Sequence, residues 1–177
     1  MVTEAEWNAI PVGSHLLLRL RGAEQKVLVR AAYEAALLCQ GLGSWEESND
    51  FDGFVGDAGG LIWYGIHPDD VRTKRLAMDL LLAPWPEHAK QEAYALRAAA
   101  YACLASWNFG SGKAAAELVR GYAGSAVECA ETSIAETLRT RDGLAKALAA
   151  AGQQTALAIR AAIPWDLVDD AQMRAKR

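Results

Sequence analysis

Apolar residues recur three or four positions apart through most of this chain, the spacing that places them on one face of an α-helix. From Ala23 to Gln40 the face is Val27, Ala31, Ala35 and Leu38. From about Lys113 to Arg139 it is Val119, Ala123, Val127, Ala130, Ile134 and Leu138. The same spacing predicts helices from Pro68 to about Ala83, from about Glu87 to about Trp107 and from about Gly143 to Ala162, with a short one opening at Pro164. Thr3 and Glu6 form a capping-box pair ahead of a short helix over Glu4 to Asn8, and Ser44 with Glu47 repeats the pattern. Gly41 and Gly43, then "APWPEH", "NFGSG" and "TRDG", punctuate the helices, with Asp142 placed as an N-cap. Leu16, Leu18 and Leu20 alternate as on a strand, but Leu17 breaks the alternation, so this stretch reads either way.

Long helices joined by short Pro/Gly corners predict one all-α domain over residues 1–177, either an antiparallel bundle or stacked helical hairpins. One segment departs from the pattern. Residues 41–67, containing "NDFDGFVGDAGGLIWYGIH", are rich in glycine and aspartate and read as an irregular insertion. Within it Leu61, Ile62, Trp63, Tyr64 and Ile66 read as a short strand or as a buried segment between helices.

Composition strengthens the helical reading. Roughly a fifth of the 177 residues are alanine, the best helix former. The net charge of −4 and pI of about 5.4 argue against a broad nucleic-acid surface, which needs clustered Lys and Arg, and permit a basic partner. No segment reaches the roughly 20 apolar residues of a membrane span, and acidic residues stand where a signal peptide is basic. Cys39, Cys103 and Cys129 are odd in number and far apart, which predicts buried free thiols and a cytoplasmic protein.

Three candidate chemistries follow from local motifs. "GSGK" at 110–113 resembles a phosphate-binding loop, but Trp107 stands where the first glycine belongs and Ala114 where Ser or Thr belongs. Ser111 capping the next helix is the simpler reading. An EF-hand aligned on Gly53 puts Gly59 at the position of the bidentate glutamate, which leaves at most a looser cation site at Asp50, Asp52 and Asp57. His67, Asp69 and Asp70 offer ligands or an acid–base pair, and read more simply as the start of a helix whose positive end they face. His15 and His88 are isolated, and no nucleophile motif or paired Glu-x-x-His signature is present, so no catalytic residue, metal site or cofactor is assigned. Most of the six tryptophans fall at helix ends, as core plugs or as interface anchors.

"HPDDVRTKRLAMDLLLAPW", "EAYALRAAAYACLASW" and "IPWDLVDDAQMR" together resemble the alanine-rich, all-helical bacterial immunity proteins of polymorphic toxin systems. The resemblance spans about two-thirds of the chain, has no counterpart for Gly41 to Ile66, and carries over no functional residue. It implies a non-catalytic protein that binds another protein, a toxin in that family. On the residues alone, the expected contact surface is Gly41 to Ile66, where the acids Glu46, Glu47, Asp50, Asp52 and Asp57 steer a basic partner and the aromatics Trp45, Phe51, Phe54 and Trp63 supply contact area, Trp45 and Trp63 foremost. The alternatives are an enzyme or small-ligand or metal-binding protein with its site beside those aspartates and His67, and a subunit of a helical homo-oligomer.

Overall fold

The computed structural model describes residues 3–20, 24–40, 42, 48–84 and 90–174. Among them the chain is all-α, without a strand. The helices are α1 (Glu4–Ala9), α2 (Gly13–Arg19), α3 (Gln25–Leu37), α4 (Ser48–Gly59), α5 (Val71–Leu82), α6 (Lys90–Trp107), α7 (Lys113–Asp142), α8 (Leu144–Ala162) and α9 (Trp165–Arg174), and a π-turn over Gly60–Tyr64 follows α4. No helix of the described residues is long and apolar enough to cross a membrane.

α6 is the central helix. It packs against α3, α4, α5 and α7. Eleven of its eighteen residues are buried, seven of them alanines, because a helix surrounded by helices must be apolar all round. Alanine on both sides of a contact lets helix axes come close, as where Ala98, Ala99 and Ala102 of α6 share the core with Ala123, Ala126 and Ala130 of α7. Around this centre α2 and α3 pack on α7 and α8, and the expected α7 face is buried from Val119 to Ile134. Ile134, Ala135, Ala147 and Ala151 make a second small cluster where α7 turns into α8.

Short polar clasps fix the peripheral helices. Thr3 and Glu6 form the expected capping box on α1, and Trp7 is buried. Arg160 of α8 donates to the carbonyls of Trp7 and Ile10, holding the C-terminal end of α1. Gln25 Nε2 donates to Gly110 O at 2.7 Å and its Oε1 accepts from Gly110 N at 3.0 Å, tying the start of α3 to the corner before α7.

The structure corrects four local expectations and resolves one left open. Residues 48–64 are helical, not an irregular insertion or a strand. Phe51, Phe54, Val55 and Ala58 recur at helical spacing, and burying that face outweighs the poor helix propensity of Asp and Gly. The ambiguous leucine stretch is α2, with Leu16, Leu17 and Leu20 buried and Leu18 outward. α5 starts three residues beyond Pro68, because the Asp70 side chain accepts from Arg72 N at 3.0 Å and caps the helix there. At α7 it is Gly112, with φ 105°, that holds the cap position in place of Ser111. Asp142 is the last residue of α7 instead of a cap on α8, and Gly143 at φ 76° makes the joint. The Ser44–Glu47 pair and Pro86 lie outside the described residues.

Candidate functional site: an exposed ridge after α4

The end of α4 is built to present side chains outward. Gly59 lets α4 approach α3: a Cβ there would stand 3.2 Å from Cε2 of Tyr33. The chain then widens into the π-turn and closes on Gly65, whose φ of 67° is left-handed and whose N–H donates toward the carbonyls of Gly60 and Leu61. A one-turn π-bulge re-aims the side chains that follow it. Here it keeps Leu61 and Ile62 in the core and turns Trp63, Tyr64 and Ile66 out, at 52%, 79% and 62% exposure.

Trp63 is held as well as exposed. Its ring meets Tyr33 edge-on at 6.5 Å, and the Arg30 guanidinium lies 4.9 Å from its centroid. His67 follows, exposed and packed on Phe109 with centroids 5.4 Å apart. Between residues 48 and 71 the sequence holds five aspartates and no Lys or Arg. Of these Asp52, Asp69 and Asp70 are exposed, so the ridge sits within an acid-only stretch.

The residues expected to form the contact surface separate. Trp45, with Glu46 and Glu47, lies outside the described residues. Trp63 is on the surface as expected. Asp50 and Asp57 lie about 20° apart around α4, with Asp52 on the opposite side, since each residue turns the helix by about 100°. Asp52 faces solvent and Asp50 is half-buried. Asp57 is turned toward α6, where its Oδ2 accepts from Trp107 Nε1 at 3.0 Å and from Cys103 Sγ at 3.5 Å. Desolvation raises the Asp57 pKa above its ordinary value of 3.8, against the pull of those two donors. Its role is to join α4 to α6. Phe51 and Phe54 fill the core.

The other candidate chemistries resolve in the same way. Among the described residues no three His, Cys, Asp or Glu side chains gather as a metal site. Lys113 points to solvent and pairs with Glu117 at 3.9 Å. The thiols of Cys39, Cys103 and Cys129 are free, the first two buried and the third half-buried. Burial pushes the Cys39 thiol up to about 12 and that of Cys129 to about 11, and raises Cys103 also, so none is a poised nucleophile.

Sequence reasoning missed Tyr64 and Ile66 as surface residues. The available signal was "YGIHP": a left-handed glycine and a proline two residues beyond Ile66 prevent any regular element from burying both neighbours. No family model, no curated protein and no solved structure matches this chain.

Proposed function

We propose that the chain is a non-catalytic protein-binding module whose contact centre is the ridge Trp63–Tyr64–Ile66. The carrying observation is that three large apolar side chains within four residues are exposed, on a turn whose own Leu61 and Ile62 anchor it in the core. Single exposed apolar residues are ordinary, whereas a group of aromatics on a rigid support is the composition of an interface hot spot. The exposed aspartates that neighbour the ridge in sequence, Asp52, Asp69 and Asp70, suit a partner with a basic surface and would speed its approach. The resemblance to immunity proteins makes a toxin polypeptide the first partner class to test, with neutralisation arising from occlusion of the toxin.

The test is affinity capture from extracts of the cells that make the protein, using wild type, the Tyr64→Ser/Ile66→Ser variant and Asp52→Lys, each first shown folded by circular dichroism. A partner retained by wild type, lost with the ridge variant and captured more slowly by Asp52→Lys supports the reading. A partner captured equally by all three moves the contact surface elsewhere.

A further inference from the structure

Seven of the thirteen exposed large apolar side chains among the described residues fall between 63 and 82. Three belong to the ridge. The other four, Val71, Leu76, Met78 and Leu82, lie on α5, of which only Ala77 is buried. Among the described residues α5 packs chiefly on α6 and, less, on α4, and Val71, Arg72, Arg75, Leu76, Met78, Asp79 and Leu82 are exposed. On that outer side Arg72, Thr73, Arg75, Leu76 and Asp79 line a shallow depression. Four of these stand at i, i+3, i+4 and i+7, the arrangement that makes a hole for a knob from a facing helix.

We propose that this face pairs with the same face of a second copy of the chain, α5 against α5 antiparallel, about a twofold axis level with Ala77. The face is self-complementary, as an isologous interface requires. With about 100° of turn and 1.5 Å of rise per residue, the outer face centres between Arg75 and Asp79. Turning α5 over about Ala77 sets Arg75 level with Asp79 of the other copy, twice. The Asp79 carboxylate then enters the depression, beside Arg72 and Arg75. On one flank Val71 meets Leu82 of the other copy and Met78 meets Met78. On the opposite flank Leu76 meets Leu76. Every exposed apolar residue of α5 thereby gains an apolar partner, and Arg75 and Asp79 each gain an opposite charge. Within one chain, Arg75 and Asp79 are already 3.8 Å apart and well exposed, so the pairing extends an existing ion pair into a four-membered network.

The contact is small. Twelve residues span only about 18 Å, which places the interface in the low-area, readily dissociating class. A reversible dimer is therefore expected, with a dissociation constant on the order of micromolar to hundreds of micromolar. This inference needs no heterologous partner, so its failure and that of the ridge reading are independent.

Sedimentation equilibrium of the full chain tests it, over a range from about 1 to about 500 µM, the span in which such weak complexes form. Wild type should show a concentration-dependent monomer–dimer equilibrium. Arg75→Asp should weaken it roughly tenfold or more by setting carboxylate against carboxylate. The swap Arg75→Asp/Asp79→Arg should restore it, and Tyr64→Ser should leave it unchanged. A second arm, independent of those charges, uses mild oxidation in a Cys129→Ser background. Leu76→Cys should give a covalent dimer, and Leu157→Cys, exposed on α8, should not. A wild type monomeric at every concentration, a dimer as tight with Arg75→Asp, a dimer lost with Tyr64→Ser, or equal cross-linking at both cysteines overturns the proposal.

Discussion

Removing one carboxylate, that of Glu131, should loosen three helices at once. α2 begins after Val12, which has no side-chain acceptor to cap it. The acceptor comes instead from α7: Glu131 Oε1 takes the backbone N–H of Ser14 at 3.0 Å and Oε2 takes its hydroxyl at 2.9 Å. Oε1 also takes the hydroxyl of Thr155 on α8 at 2.8 Å. The junction is tight, since a Cβ on Gly13 would stand 2.4 Å from Thr155 Oγ1. In Glu131→Ala the uncapped amide costs about 1 kcal/mol, the usual value of an N-cap. The Ser14 hydroxyl loses a charge-assisted bond worth about another 1 to 1.5 kcal/mol. Thr155 loses little, because its hydroxyl also reaches Gly152 O at 3.0 Å and Ala151 O at 3.2 Å. The sum is about 2 to 3 kcal/mol, or a fall in Tm of roughly 5 to 10 °C for a chain of this length. Glu131→Gln keeps an acceptor of the same shape and should lose about 1 kcal/mol. Urea unfolding of the two variants and of Ser14→Ala, combined as a double-mutant cycle, provides the measurement. Glu131→Ala within about 0.5 kcal/mol of wild type, or losses that simply add with Ser14→Ala, would refute the capping role.

Two further outcomes follow from buried groups. Asp57 has a raised pKa in the fold, so the folded chain binds that proton more tightly than the unfolded chain does. Its contribution to stability is then greatest below 3.8, declines as pH rises from there to the raised folded value, and is constant above it. Asp57→Asn keeps an acceptor for Trp107 and should gain on wild type across that window in pH-dependent urea unfolding; a difference that does not change with pH would refute this. Under native conditions a thiol reagent should reach Cys129 first and slowly, and Cys39 and Cys103 only on unfolding, as they have no exposed surface. Rapid native reaction at all three would show that α6 opens.

The helical class was legible because it depends on spacing and alanine content, both of which survive without knowledge of any tertiary contact. α1 appears where its capping box predicts it, and α3 and α7 close to where their apolar faces do. The failures within residues 48–64 share one cause. Asp50, Asp52, Gly53, Gly56 and Asp57 are poor helix formers, and their local preference hid the spacing of Phe51, Phe54, Val55 and Ala58. That spacing matters only once α6 and α3 are present to cover it. The same holds for Asp57. In sequence it is one acid of an acidic run, and its turn toward Trp107 and Cys103 depends on a helix 46 to 50 residues away. Ser111 and Asp142 failed for a different reason: glycine with positive φ occupied each joint, so no side-chain cap was needed.

Which exposed apolar residues carry information is decided by how the core is filled. An alanine-rich bundle buries many small side chains, so some large ones must remain outside. Leu18, Leu118 and Leu167 fit that account, being single exposed large apolar residues on three different helices. Tyr64 and Ile66 do not. The same segment already sends four large side chains, Phe51, Phe54, Leu61 and Ile62, into the core. The chain also adopts a π-turn and a left-handed glycine to place them outward. A regular continuation of α4 would have kept the α-helical ladder without that change of register. The local cost of the irregular turn is offset by burial of Leu61 and Ile62, and its geometric result is the presentation of Trp63, Tyr64 and Ile66. α5 extends the argument: its outward stripe has both apolar and charged halves that match their own twofold copy, a property that residual surface leucines do not share.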